Sequence, residues 1–109
     1  MQKIKTIMKA YVYIVECSNG TYYTGSTRNL EKRLYEHDSG EGPSYTRSRL
    51  PVKLVFQTEF LSFRDAVRFE KQVKGWNRKK KKALIEGRFE LLHMLAECKN
   101  ETHFSRYLS

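Results

Sequence analysis

The stretch AYVYIVECSNGTYYTGSTRNLEKRLYEH, residues 10–37, decides the fold. Its opening, YVYIVEC at 11–17, is β-branched and aromatic, the composition of a strand. Ser18, Asn19 and Gly20 follow as a turn, because Asn and Gly tolerate the positive φ that tight hairpins demand. TYYTGS at 21–26 returns as the second strand. Gly25 inside it implies a bulge or a close approach by another backbone or a ligand. Asn29 then caps a helix through LEKRLYEHDS, which Gly40 ends.

Working outward, EGPSYTRSRLP at 41–51 holds Gly, Ser and two prolines and reads as a basic loop. VKLVFQTEF, 52–60, is a third strand between Pro51 and Ser62. Ser62 with Asp65 three residues on resembles a capping box. Behind it Ala66, Phe69, Val73 and Trp76 recur at spacings of 3, 4 and 3, one face of an amphipathic helix. Asn77 caps a further helix through RKKKKALIE, closed by Gly87, and RFELLHMLAEC at 88–98 predicts a last one with Phe89, Leu92 and Leu95 inward. Residues 1–9 read as a flexible leader, 10–98 as a single domain and 99–109 as a tail without period. The order ββαβαα predicts an α+β domain, a small and mostly antiparallel three-stranded sheet flanked by helices.

A chain of 109 residues has room for one modest core. With 39% hydrophobic and 13% aromatic residues it is not the composition of a disordered chain. The formal net charge is +9, and Lys74, Arg78 and Lys79 to Lys82 crowd into nine residues. Such a surface attracts phosphate backbones by releasing counterions, so nucleic acid is the leading partner. A solvated basic helix face, or a patch meeting an acidic protein, competes with that reading. No apolar run approaches the ~20 residues that span a bilayer. Cys17 and Cys98 form no CxxC, which favours reduced thiols and a cytoplasmic setting. His37, His93 and His103 lack zinc-ligand spacing, and no motif calls for a small-molecule cofactor.

Arg33 and His37 lie four apart on the first helix and share a face. Leu30 and Leu34 form a neighbouring stripe expected to bury, which leaves Arg33 and His37 at the core's rim, facing the hairpin. A guanidinium there can hold a phosphate by two hydrogen bonds. Glu70 flanks the apolar face of its helix, where it can ligate a hard divalent ion or simply pair with Lys74. Tyr11 and Tyr13 share one strand face, while Tyr22 and Tyr23 point to opposite faces; at least two of the four belong to the core. A catalytic tyrosine needs a nearby cation or metal-bound water to be useful near neutral pH.

Tyr13 in YVY, Tyr23-Thr24-Gly25, Arg33, His37 and helical Glu70, in that order, resemble the GIY-YIG nuclease domain over about residues 10–86. SNGTYYTGSTRNLEKRLYEH, the loop Tyr45 to Arg49 and AVRFEKQVKGWNRKKKKALI most resemble the small single-domain members, to which the N-terminal domain of an excision-repair nuclease is related. Tyr11-Val12 stand where the family's first motif has Gly-Ile. The resemblance implies an endonuclease that hydrolyses DNA phosphodiesters with a single Mg²⁺ or Mn²⁺ on Glu70, stabilising the leaving 3′ oxygen. It implies Tyr13 or Tyr23 as the proton acceptor, Arg33 on the scissile phosphate and His37 assisting. Many members carry an asparagine downstream of the glutamate. Here Lys80, Lys81 and Lys82 stand at about that distance, and Asn77 reads as a cap. Arg47, Arg49, Lys74, Arg78, Lys79, Lys81 and Lys82 are the expected contacts to DNA phosphates. With no reading module attached, structure-directed cleavage of branched or nicked DNA in repair or recombination is the expectation. A binding module of the same fold without turnover is the alternative. Oligomeric state stays open.

Overall fold

Gly20 closes the hairpin at φ +85°, a conformation L side chains rarely adopt. Asn19 supports the turn by accepting from the Thr21 backbone N–H at 3.2 Å and its hydroxyl at 2.8 Å. In this computed structural model, which describes residues 9–89, the flanking strands are β1 (Ala10–Glu16) and β2 (Tyr22–Thr27). A third strand, β3 (Lys53–Phe60), pairs with the other side of β1, giving an antiparallel sheet of order β2-β1-β3. The central strand is therefore the apolar one, and Ala10, Val12, Tyr13, Ile14 and Val15 are all fully buried.

Alternation along β1 assigns its two faces different duties. Ala10, Val12 and Ile14 join one core with Ala66, Phe69 and Val73 of α3 (Phe63–Lys74), with Trp76 just past its end, and with Ala83 and Leu84 of α4 (Arg78–Ile85). Ala66, Phe69 and Val73 of the stripe read from the sequence are thus the buried face of α3, while Trp76, expected on the same helix, lies beyond its Gly75 cap and still joins the core. The opposite face, bearing Tyr11 and Tyr13, is covered by α1 (Leu30–Asp38) and a short α2 (Ser44–Arg47).

Three polar side chains start helices as expected. Asn29 accepts from Lys32 N–H at 3.0 Å, Ser62 from Asp65 N–H at 3.3 Å, and Asn77 from Lys80 N–H at 2.8 Å. Gly40, at φ +83°, follows the end of α1.

Three expectations need correction. The segment 41–51 is not a plain loop, because Ser44–Arg47 coil into α2. Leu30 and Leu34 are only half-buried, while His37 is the buried residue of α1. The cause is polar: both ring nitrogens of His37 find partners inside, so its burial leaves no unsatisfied group. Gly25 sits in regular register opposite Tyr13, without a bulge, and the close approach is by the Tyr13 side chain. The leader before Lys9, the expected helix past Phe89, the tail, Cys98, His93 and His103 lie outside the described residues.

Candidate functional site

The site forms where β1, β2 and α1 meet. Register puts Tyr13 directly opposite Gly25, and a Cβ on Gly25 would lie 2.5 Å from the Tyr13 hydroxyl. Only glycine leaves that oxygen its place. Tyr13 Oη lies 3.0 Å from His37 Nε2, and His37 Nδ1 lies 2.9 Å from Thr46 Oγ1. Tyr13, His37 and Thr46 all have zero solvent exposure. Gly42 lets the incoming segment close over this chain, since a Cβ there would press on His37 Nδ1 at 3.1 Å.

Tyr23 completes an aromatic group around the histidine. Its ring centroid is 6.4 Å from Tyr13 and 5.7 Å from His37, with an edge-on approach to the imidazole. Tyr45 of α2 stacks on Tyr23 at 6.0 Å, and the Arg49 guanidinium covers Tyr45 at 3.9 Å. On the other side Lys74 Nζ lies 5.9 Å from the Tyr23 ring. Arg49, Tyr45, Tyr23 and Lys74 thus form a row with a cation at each end.

Electrostatics follow burial. The Tyr13 phenol is pushed up to about 12, chiefly by desolvation and then by Tyr23. The Arg33 guanidinium pulls it the other way, by charge and by hydrogen bonding at the same hydroxyl, while Glu70 adds slightly to the rise. His37 is held below the ordinary imidazole value, first by burial and then by Arg33. A neutral histidine therefore faces a protonated tyrosine. Arg33 also pairs with Glu36 at 3.2 Å, with about a third of its side chain exposed.

Glu70 projects from α3 at the edge of β2. Its Oε1 accepts from Ser26 Oγ at 2.5 Å, and its Oε2 meets Lys74 Nζ at 2.8 Å. Among the described residues no three His, Cys, Asp or Glu side chains gather as a ligand set. One oriented carboxylate fits a hard ion such as Mg²⁺, which keeps most of its waters and takes one or two carboxylates plus substrate phosphates.

The basic residues divide. Arg47 is exposed, with only a long 3.5 Å contact to Gly42 O; Arg49 donates to Tyr45 O at 2.6 Å. Both lie beside the aromatic row. Arg78 is pinned across the hairpin turn, donating to Gly20 O at 2.7 Å and lying over the Tyr22 ring at 4.4 Å. Lys80 folds onto Trp76 at 4.4 Å and is buried. Lys79 and Lys82 are exposed, and Lys81 is half-buried, its ammonium held below the ordinary lysine value by burial and by Lys74.

Sequence reasoning missed Thr46, Tyr45, Ser26 and Gly42. Tyr45 and Thr46 stood in a quoted loop, but nothing local told that α2 would carry them against His37. Ser26 was hidden by distance, 44 residues from its partner Glu70.

A helix-covered antiparallel sheet, with a histidine and an arginine of α1 gathered against the tyrosines of its hairpin, defines a small α+β domain. Residues 9–83 match the GIY-YIG catalytic domain, and the chain belongs to that family of nucleases. A UPF0213 protein of Staphylococcus saprophyticus is 43% identical over 77 residues, covering 71% of this chain and 94% of that one. Another, from Natronomonas pharaonis, is 47% identical over 75 residues, covering 69% and 88%. The solution structure of the protein EF2693 from E. faecalis superposes with a TM-score of 0.53 at 34% identity, over 76% of this chain and 88% of that one.

Proposed function

We propose that the protein is a divalent-metal-dependent endonuclease that hydrolyses DNA phosphodiesters at the Tyr13–His37 pair. The observation that carries this reading is the buried 3.0 Å contact between Tyr13 Oη and His37 Nε2, with Arg33 acting on the same hydroxyl. A phenol near 12 is not ionised at neutral pH, so Tyr13 cannot serve as a standing phenolate. It can relay. As its oxygen takes a proton from the attacking water, its own proton passes to neutral His37 Nε2. The water oxygen bonds to phosphorus and the bond to the 3′ oxygen breaks; the 3′ oxygen takes up a proton from solvent, leaving a 3′ hydroxyl and a 5′ phosphate.

Arg33 binds the scissile phosphate and brings it to the Tyr13 hydroxyl. Tyr23, half-buried beside both rings, is a positioning donor to the same phosphate or water. Glu70 would hold the Mg²⁺ or Mn²⁺, which supplies Lewis-acid stabilisation of the leaving 3′ oxygen. Ser26, bonded to Oε1, fixes that carboxylate's orientation. Arg47, Arg49, Lys74, Lys79, Lys81 and Lys82 track the backbone phosphates without reading sequence. Arg78 is exposed and holds the hairpin turn through one nitrogen, which leaves its other donors for a phosphate. The substrate is a branched or nicked DNA met in repair or recombination in the cytoplasm, held through its backbone phosphates.

A second reading is a binding module of the same fold without turnover. The 2.8 Å Lys74–Glu70 bridge favours it, since an ammonium already holds one oxygen of the proposed metal ligand. Labelled single-stranded, duplex, nicked, flap and branched DNAs incubated with Mg²⁺ or Mn²⁺ separate the two. We expect metal-dependent products from wild type, reduced by about 10²-fold or more in Tyr13→Phe and Glu70→Gln. Binding without products on every substrate would sink the nuclease reading.

A further inference from the structure

We infer that Thr46 is a positioning residue that fixes the tautomer of His37, so that Nδ1 carries the ring proton and Nε2 is free to accept from Tyr13. The inference rests on the nuclease reading for its consequence, but the hydrogen-bond chain itself stands on geometry alone.

Thr46 Oγ1 has one proton to give. It lies 3.1 Å from Pro43 O, which can only accept, and 2.9 Å from His37 Nδ1. If the hydroxyl gave its proton to Nδ1, two oxygens would face each other at 3.1 Å with no hydrogen between them. Donation to Pro43 O removes that repulsion and leaves Oγ1 as an acceptor, so Nδ1 must be the donor. A neutral imidazole has one N–H, so Nε2 is then a lone pair aimed at Tyr13 Oη at 3.0 Å. The phenol proton accordingly points at His37, and the lone pair of Tyr13 that Arg33 does not engage is left for an incoming water. Burial and the Arg33 charge both favour the neutral ring that this chain of bonds requires. The opposite tautomer would turn Nε2–H toward Tyr13 and occupy the lone pair that has to receive a proton.

The design of the surrounding segment agrees. Pro43 starts α2 without a side-chain cap, and its carbonyl also receives the backbone N–H groups of Thr46 and Arg47 at 3.1 and 3.0 Å. One carbonyl thus anchors the turn and orients the hydroxyl. The ring nitrogen and its anchor are nine residues apart, which is why a short helix is needed here.

The test is ¹⁵N NMR of the histidine side chains, assigned to His37 by comparison with His37→Gln. Wild type should show a pyrrole-type Nδ1 and a pyridine-type Nε2 on this ring at neutral pH. Thr46→Val, which keeps the shape and removes the acceptor, should move the proton to Nε2. It should also lower turnover on the preferred DNA by about 10²-fold. Thr46→Ser should restore both. Wild type with the proton on Nε2 overturns the proposal without any variant having to fold. So does Thr46→Val with the Nδ1 proton retained, or a changed tautomer with turnover unaltered. If wild type cleaves no DNA, the nuclease reading and the positioning role fall together, while the tautomer measurement still decides the hydrogen-bond chain.

Discussion

At the scale of single residues, Tyr13 is held from every side among the described residues. Its ring is fully buried, its hydroxyl touches His37, and its β2 neighbour is the one residue type that leaves room. Its raised pKa has a measurable signature. Phenolate absorbance followed with pH should reveal one tyrosine titrating at about 12, absent from Tyr13→Phe. Linkage gives a sign. Between the unfolded value of 10.0 and about 12 the native state keeps a proton that the unfolded chain has lost, so stability falls as pH rises through that window. His37 works at the other end. Its native value lies below 6.5, so its contribution is complete above 6.5 and is lost as pH falls toward the native value. Thermal melts across both windows check these signs, and a melt that is flat above pH 10 in wild type contradicts the Tyr13 assignment.

At the scale of elements, the fold was legible wherever its cause is local. Asn29, Ser62 and Asn77 were readable as caps because a capping bond spans three residues. The α3 stripe was readable because one face of one helix meets one sheet face. What escaped was set by distant partners. His37 was assigned to the rim because leucines outrank histidine for burial in any helical stripe. Its burial depends on Tyr13, 24 residues away on another strand, and on Thr46, nine residues on and beyond the end of α1. Likewise α2 hides among Gly, Pro and Ser, residues that announce a turn and not what the turn covers. The five residues of the resemblance were found by order, and the relations that bring them together, Tyr13 over Gly25 and Thr46 behind His37, needed the fold. The cap of α1 carries a consequence for the site, because α1 bears both Arg33 and His37. Asn29→Ala should cost about 0.5–2 kcal/mol in a denaturant titration. It should also weaken cleavage beyond what the lost stability explains, and an unchanged midpoint would contradict the capping role.

At the scale of the whole molecule, a net charge of +9 would draw the proposed DNA substrate to the domain, yet formal charge overstates the number of cations placed to meet it. Within the basic run Arg78 is held on the hairpin turn and Lys80 lies against Trp76 in the core. Lys79 and Lys82 face solvent, and they can release counterions without dismantling packing. The two kinds of residue should therefore answer differently to the same substitution. Each phosphate contact contributes about −0.9 to the slope of log affinity against log salt concentration. Lys79→Ala and Lys82→Ala should each reduce the slope by about one while leaving the melting temperature in place. Lys80→Ala should instead lower the melting temperature, because it uncovers Trp76, and leave the slope nearly unchanged. Fluorescence anisotropy with labelled duplex at several salt concentrations, run beside thermal melts, gives both quantities. Equal slopes for wild type and the Lys79 and Lys82 variants would take the contact surface off α4. Binding would then rest on Arg47, Arg49 and Lys74 beside the aromatic row, where the proposed chemistry takes place.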